Sequence, residues 1–309
     1  MLPKGFSESI KICGLKEYLG TKGHFFVESN RVVSLKGLPG VKIEYKKMDN
    51  GVEVTVNIEK ETKIVEPLFF CFGVLKKEGE QFIIPKIEIG AGADIHLLAF
   101  CSFPNARKVK HQMDGFFRIG KNARLRYDEY HYHGGHSGAE VFPKLKIEID
   151  KGGQYENNFN LTKGTVGRVK IELEAVLMEE AKADLDVKVM GRGSSDDIGV
   201  FEKVFLIGKN SRSLIKMRAA AKDGGKVFMQ GETQAQAAGC QGHVDCQEIV
   251  IGKGSVAKAV PIVEVNNDKA RITHEASVGR VNQKELETLM SRGLNEDEAT
   301  DLIVKAMLR

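Results

Sequence analysis

The sequence predicts a mainly β chain, a right-handed parallel β-helix closed by a short C-terminal helical segment. Three observations carry this. Alternating apolar–polar runs recur from Leu68 onward, the first three copies and a degenerate fourth at a step of about thirty residues, the signature of a solenoid built from short strands. IEIGAGADIHLLAFCSF from Ile87 is echoed by FRIGKNARLRYDEYHYH from Phe117, IEIDKGGQYENNFNL from Ile147, FLIGKNSRSLIKMRA from Phe205 and IVIGKGSVAKAVPIV from Ile249, with a degenerate copy at Leu177–Leu185. Each copy places Gly or a polar turn at a fixed offset, and no helical pattern separates the copies, which favours stacked coils over a β-sandwich. Parallel crossovers of this kind are right-handed.

Three segments follow: an N-terminal cap or small subdomain over residues 1–66, the β-helix over 67–281 and the helical segment over 282–309. In the first, Ser9–Tyr18 reads as a short helix and Val52–Ile58 (VEVTVNI) as a half-buried strand. Asp49-Asn50-Gly51 precedes that strand, and Asn-Gly supplies the positive φ angles of a tight hairpin. In the last segment Leu286, Leu289 and Met290 sit at helical spacing before Gly293, a C-cap. Asn295 then caps a second helix with acids in its first turn and Leu302, Ile303, Ala306 and Met307 on one face. Such helices either plug the open end of the coil or present a surface to a partner.

Composition narrows the function classes. The chain has 309 residues, a formal charge of +4 and five cysteines. No apolar run is long enough to span a membrane, and the N-terminus MLPKGFSESIKICG lacks the pattern of a signal peptide. The expectation is a cytoplasmic protein with reduced thiols. No basic block with interleaved aromatics points to nucleic acid. There is no GxxxxGK[ST] loop, no GxGxxG in a strand–turn–helix setting and no GxSxG elbow, so any ATP must be hydrolysed by another chain.

The chemistry concentrates in Gly239–Gly279. Cys246 and Glu275 lie about one repeat apart, which stacks them on neighbouring rungs, about 4.8 Å apart. A soft thiolate beside a carboxylate suits iron or an iron–sulfur cluster better than acid–base catalysis. Cys240 and Cys246 do not form CxxC, so a structural zinc site is not indicated. His274 and Glu275 are adjacent and point to opposite faces of a regular strand, so one site takes both only at a corner or across an interface. His131 and His133 share a strand face, with His136 able to fold back over Gly134 and Gly135 as a third ligand, or else the three form a polar strand end. Cys71, Cys101 and His131 recur at the repeat step and read as a packed column.

LIGKNSRS (206–213), DCQEIVIG (245–252) and THEASVGR (273–280), followed by LMSRGLNEDEATDLIVKAML, resemble the core of the SufB/SufD proteins, scaffold subunits of SUF iron–sulfur cluster assembly. The resemblance is close over the C-terminal third, loose over the repeats and faint over the first sixty or so residues. It implies a right-handed parallel β-helix with a C-terminal helical segment. It implies that Cys246 matches the cysteine of cluster assembly in the B branch, Glu275 the acid paired with it, and His274 the histidine that sits at the heterodimer interface in D-type subunits. Cys240 would be an auxiliary ligand. A [4Fe-4S] cluster is the favoured cargo. The terminal helices would dock a SufC-type ABC ATPase, whose closure would twist the scaffold dimer and expose the site. A sulfur donor and recipient apoproteins complete the expected partners. The SVGR tail leans towards the D branch, and the chain is shorter than typical members and has no Trp. These departures weigh against carrying over the flavin association and sulfur-entry tunnel of longer B-type subunits. One subunit combining both branches makes a homodimer as reasonable as a SufB/SufD-type heterodimer. The rival expectations are a structural partner that holds no cluster, and a β-helix enzyme, carbohydrate-active or using His131, His133 and His136 for a metal.

Overall fold

The computed structural model describes residues 2–308. Helix α1 (Lys4–Ile12) is followed by a short 3-10 turn and two hairpins, β1 (His24–Glu28) with β2 (Arg31–Lys36) and β3 (Val41–Met48) with β4 (Gly51–Ile58). Then come β5 (Leu68–Gly73), β6 (Glu78–Ile89), β7 (Asp94–Ser102), β8 (Lys108–Ile119), β9 (Arg124–Tyr132), β10 (Ala139–Ile149), β11 (Gln154–Leu161) and β12 (Arg168–Leu177). The run continues with β13 (Lys182–Arg192), β14 (Asp197–Leu206), β15 (Arg212–Lys222), β16 (Lys226–Ala235), β17 (Gln241–Ile251), β18 (Val256–Val265) and β19 (Arg271–Gly279). Helices α2 (Gln283–Met290) and α3 (Glu296–Met307) end the chain.

From β4 onward, successive strands alternate between two sheets and pair in parallel with the strand two further on, which makes a β-solenoid of about eight turns. Sheet A runs from β2 through β1 and β5 to β19 in odd-numbered steps, and sheet B from β3 through β4 to β18 in even-numbered ones. Residues 24–58 extend the same two sheets, since β1 pairs with β5 and β4 with β6.

Alternation builds the core. In β14 the side chains of Ile198, Val200, Val204 and Leu206 are buried while their neighbours are half exposed, and each such apolar burial contributes about 1.5–3 kcal/mol before entropy is counted. Ile89, Ile119, Ile149, Leu177, Leu206 and Ala235 are successive register partners in sheet B and form one buried column. Where the chain turns from sheet B into sheet A, small buried residues line the corner: Ala93, Ala123, Ala181, Ser211 and Cys240.

The turn glycines serve close approach. A Cβ at Gly208 would lie 1.9 Å from the Glu179 nitrogen, in the coil beneath, and one at Gly120 would lie 2.6 Å from the Ile89 oxygen. Gly51 behaves likewise: none of Asp49, Asn50 and Gly51 has a positive φ, but a Cβ at Gly51 would meet the Phe82 carbonyl at 1.7 Å. The glycine after Asn50 is therefore needed for contact with β6, and the turn does not use the left-handed geometry expected of it.

Other expectations shift in detail. The N-terminal helix is Lys4–Ile12 rather than Ser9–Tyr18, because Gly14 at φ 79° reverses the chain and closes the helix with its N–H on Lys11. Phe6 and Ile10 of α1 pack on the outer face of sheet A against Phe69, Cys71 and Phe100. The copy at Ile249 lies in β17 of sheet A, whereas the copies at Ile87, Phe117, Ile147 and Phe205 lie in sheet B. It resembles them because Ile249 is also buried, but on the outer face, against Val304 and Leu308 of the C-terminal segment.

The helices begin and end largely as expected. Asn295 caps α3 in a reciprocal box with Glu298, and Gly293 takes φ 97°. They leave the last coil open. α3 lies along sheet A, with Val304 and Leu308 against Met190, Ala220 and Ile249, while β19 and β18 end their sheets with no further strand among the described residues. Val256, Ile262, Val265 and Val278 of these two strands are exposed. No helix among the described residues is long and apolar enough to cross a membrane.

The corner packing is directly testable. Gly208→Ala should lower unfolding free energy by about 1–3 kcal/mol in urea titrations, because the methyl must displace backbone. Gly20→Ala, with nothing within 4 Å of the added carbon, should stay within about 0.5 kcal/mol.

Candidate functional site

The register of β17 decides where each side chain of interest points. Val244 and Cys246 belong to the interior core, whereas Ile249 packs outside against the C-terminal segment. Even-numbered residues of this strand therefore face the lumen, Glu248 among them, with Met217 and Ala219 of β15 in register below Cys246 and Glu248. Cys246 and Glu248 are each 1% exposed. The next and last rung, β19, pairs Val244 with His274, Asp245 with Glu275, Cys246 with Ala276 and Glu248 with Val278.

This register corrects the stacking expected from spacing alone. Glu275 sits opposite Asp245, one residue off Cys246, and so projects from the outer face while the thiol projects inward. His274 shares the inward face with Cys246, diagonally across one rung, and is exposed because no coil covers β19. Cys240 is not brought to the site. It lies six positions earlier, at the corner before β17, about 20 Å away along the extended chain. At its corner it donates to the Gly208 carbonyl at 3.3 Å and meets the Ser211 hydroxyl at 3.3 Å.

The lumen around Cys246 is unusual for a core. Both carboxylate oxygens of Glu248, Oε2 of Glu202, and the hydroxyls of Ser213 and Thr233 are buried without a hydrogen-bond partner. An apolar setting disfavours charge, so burial pushes the Glu248 carboxyl up to about 7 and the Glu202 carboxyl up to about 8. The Cys246 thiol is pushed up to about 12, first by burial and then by the negative charge of Glu248, Asp245 and Glu202. It is thus a protonated thiol at neutral pH, one that ionises when a cation takes the place of its proton. On the outer face Arg218 pairs with the Asp245 carboxylate and donates to its carbonyl at 3.0 Å, which holds β17 to β15 beside the site.

The histidine-rich strand forms a second interior cluster. His131 Nε2 contacts Glu129 at 2.7 Å, His131 Nδ1 contacts His133 Nε2 at 3.3 Å, and His133 Nδ1 reaches the Val166 carbonyl at 2.7 Å. His131 is in register with Cys101, and ligand atoms of Cys101, Glu129 and His131 lie within 4.8 Å of one another. Burial pushes the His133 imidazole down to about 3, so it stays neutral. These residues are buried rather than forming a solvent-facing strand end, and His136 is exposed and apart from them, so no three-histidine site assembles. The expected column breaks at Cys71, which pairs with Phe100 and faces α1.

Residue-by-residue reading missed Glu202 and Glu248. Their signal was available: each occupies an inward position in an alternating run, DIGVFEKVFL and DCQEIVIG, where an apolar side chain belongs.

A groove of about 1000 Å³ runs beside the site, between the outer face of β17 and β19 and the helices. Leu289, Leu302, Ile303, Ala306 and Met307 line it. The apolar face read from α3 thus borders this groove, while Leu286, Ala299, Thr300, Val304 and Leu308 are the buried positions among the described residues of the C-terminal segment. The link from β19 to α2 is only Arg280–Asn282, so movement of the helices acts directly on the edge strand.

Comparison with known proteins agrees with the motifs. Residues 76–307 match the family model described as SUF system FeS cluster assembly, SufBD core domain. The chain is 40% identical over 304 residues to an iron–sulfur cluster assembly SufBD family protein of Methanocaldococcus jannaschii, covering 97% of this chain and 96% of that one. A protein of the same description from Pyrococcus horikoshii is 34% identical over 282 residues, 91% of this chain and 85% of the other. One from Staphylococcus aureus is 27% identical over 261 residues, and there the match spans only 54% of the longer relative.

The buried acid has a measurable consequence. Below about pH 4.5 Glu202 is protonated in both states; between there and about 8 the unfolded chain releases a proton that the fold retains. The folded chain then binds more protons, so its stability falls as pH rises through that window. Urea midpoints of the wild type should drop between pH 5 and pH 8, and Glu202→Gln should reduce that drop.

Proposed function

The chain belongs to the SufBD family of iron–sulfur cluster assembly proteins, and from that premise we propose that it is a scaffold on which a cluster is built and from which it is released. The observation that carries the proposal is Cys246, an inward thiol one rung below the uncapped end of the solenoid. The cluster is the cargo. Cys246 accepts sulfur and ligates iron as a thiolate; its proton leaves as iron binds. His274 shares its face and supplies a nitrogen ligand or anchors the interface. Glu275 supplies a labile oxygen ligand, weaker than a thiolate, which favours release.

A [4Fe-4S] cluster is held by four protein ligands, and one chain offers a single thiol at the open end. Two copies meeting there across a two-fold axis would double the ligand set and cover the exposed Val256, Ile262, Val265 and Val278. Such an interface also lets Glu275 of one copy, which points away from its own Cys246, serve the site of the other. The same surface fits a SufB/SufD-type sister subunit. The apolar groove along α2 and α3 suits docking of a SufC-type ABC ATPase, which supplies the ATP hydrolysis for which this chain carries no phosphate loop. Closure of two such ATPases pulls on α2, turns β19 and opens the lumen to a sulfur donor and to recipient apoproteins. Five free cysteines fit a reducing cytoplasm.

Anaerobic reconstitution with iron and sulfide tests the proposal. Absorption and Mössbauer spectra should show a cluster in the wild type, and Cys246→Ser and Glu275→Ala should each retain at least about tenfold less of it. A wild type without any cluster signal, even with the ATPase partner present, would leave a structural partner subunit as the better account. So would a Cys246→Ser variant that loads normally.

A further inference from the structure

We propose that Cys101, Glu129 and His131, with His111 beside them, form a closed site for one tetrahedral dication of the zinc type inside the solenoid, separate from the place where the cluster is held. The proposal does not rest on the scaffold reading, because none of its donors belongs to the final coils.

Three strands bring the donors together. Cys101 ends the inward run Ile95, Leu97 and Ala99 of β7, and Glu129 and His131 continue the inward run Leu125 and Tyr127 of β9. His111 enters from β8 in the other sheet, between the inward Val109 and Met113. Each of the four is at most 5% exposed. Ligand atoms of Cys101, Glu129 and His131 lie within 4.8 Å of one another, and His111 Nε2 is 4.0 Å from Cys101 Sγ.

The hydrogen bonds around the cluster decide which nitrogens are free. A carbonyl only accepts, so His133 carries a proton on Nδ1, toward Val166 at 2.7 Å. Both nitrogens of this fully buried ring are taken by that carbonyl and by His131, with no acid among its hydrogen-bond partners. A charged ring would be costly there, so His133 Nε2 accepts and His131 Nδ1 donates to it at 3.3 Å. His131 Nε2 is then the nitrogen left for Glu129, 2.7 Å away, and the two share one proton. His111 is held in the same tautomer. The Gln81 amide donates to the Ser29 and Gly73 carbonyls at 2.8 and 3.2 Å, so its Oε1 takes the His111 Nδ1 proton at 3.1 Å. The neutral ring turns a bare Nε2 toward the Cys101 thiol. Phe103 against His111 and Phe159 against His131, at centroid distances of 5.0 and 4.8 Å, keep both rings in place.

Two rings that spend Nδ1–H on fixed acceptors and present Nε2 inward have the outer-shell support typical of metal-binding histidines. Tetrahedral bonds of about 2.0–2.3 Å require the His111–Cys101 pair to close, and the His131–Glu129 pair to open, by about 0.5 Å each. A dication takes the place of two protons, the one on the Cys101 thiol and the one shared by His131 and Glu129. Both leave to solvent with no change of oxidation state. Thiolate and carboxylate then balance the ion, and a neutral centre suits full burial. One sulfur, two nitrogens and one oxygen with no open position describe a structural site. It ties β7 and β9 of sheet A to β8 of sheet B, four rungs or about 19 Å along the stack from the strand of Cys246.

Co(II), an optical stand-in for Zn(II), tests the site when equilibrated anaerobically with the metal-free full-length chain and followed by desalting. Cys246→Ser is the background, because it removes the thiol of the cargo site. It should retain one Co(II) per chain with a thiolate-to-cobalt charge-transfer band. Adding Cys101→Ser should abolish the band, and adding Glu129→Gln or His111→Gln should weaken binding at least about tenfold. Zn(II) should raise the melting temperature of Cys246→Ser and leave that of its Cys101→Ser double variant unchanged. Co(II) that is not retained by Cys246→Ser overturns the proposal whatever the fold of the double variants. So does a band that survives Cys101→Ser, or binding unchanged by both Glu129→Gln and His111→Gln. Cluster reconstitution of the wild type is read separately, and its failure leaves this site standing.

Discussion

The coil-to-coil backbone ladder at the corner after sheet B is the constraint from which the rest follows. The N–H of Gly120 donates to Ile89 at 2.9 Å, Asp150 to Ile119 at 2.9 Å, Met178 to Ile149 at 3.0 Å, Gly208 to Leu177 at 3.0 Å, Gln236 to Leu206 at 2.9 Å and Asn266 to Ala235 at 2.8 Å. Each bond locks one coil onto the next in a fixed register, and a slip of one residue would turn every lumen side chain to solvent. The glycines that let these backbones touch, and the small residues of the adjoining corner, keep the ladder close. Cys240 is one of these corner residues, and its burial follows from that position.

That fixed parity gives the candidate site its character. Because β17 is locked to β15, Cys246 must face the lumen beside Glu248, and Glu275 on the final rung must face out. Most of the lumen is filled by Val, Ile, Leu and Phe, and the last coils depart from this with two acids and two hydroxyls that find no partner. Unpartnered buried polar atoms concentrate in these last coils, with the Tyr155 hydroxyl of β11 and Asp186 Oδ1 of β13 the others among the described residues, the distribution expected where a charged cargo is received. The His131 cluster is the contrast. It too is polar and buried, yet its nitrogens are engaged with Glu129, His133 and Val166, so even without a metal it behaves as a satisfied network.

Much of this was legible in the sequence. The recurring IEIG, FRIG and FLIG runs reveal the solenoid because alternation and coil length are local properties. Asn295 with Glu298 marks a helix start for the same reason. What could not be read was phase. A spacing of twenty-nine residues from Cys246 to Glu275 looks like one coil, but the step from β17 to β19 pairs Cys246 with Ala276, and that single residue reverses the face. The copy at Ile249 misled similarly, because a strand with an outer apolar face under α3 has the composition of an inward one. Glu202 does not stand out, and Glu248 reads only as a polar neighbour of Cys246, because an acid in an alternating run looks like a solvated position until the parity of its neighbours is counted.

The central claim is that the uncapped end of the solenoid serves both as the place where chains meet and as the place where the cargo is held. It is tested most directly by measuring molar mass by light scattering together with iron and sulfide content, for the wild type and for an Ile262→Lys/Val256→Lys variant in β18. Both substituted side chains are exposed and face outward, in register with Glu232 and Lys226, not into the lumen around Cys246. The account predicts a wild-type dimer that carries cluster and a folded, monomeric variant that carries little. A variant that remains monomeric and still holds a full complement of cluster would contradict it.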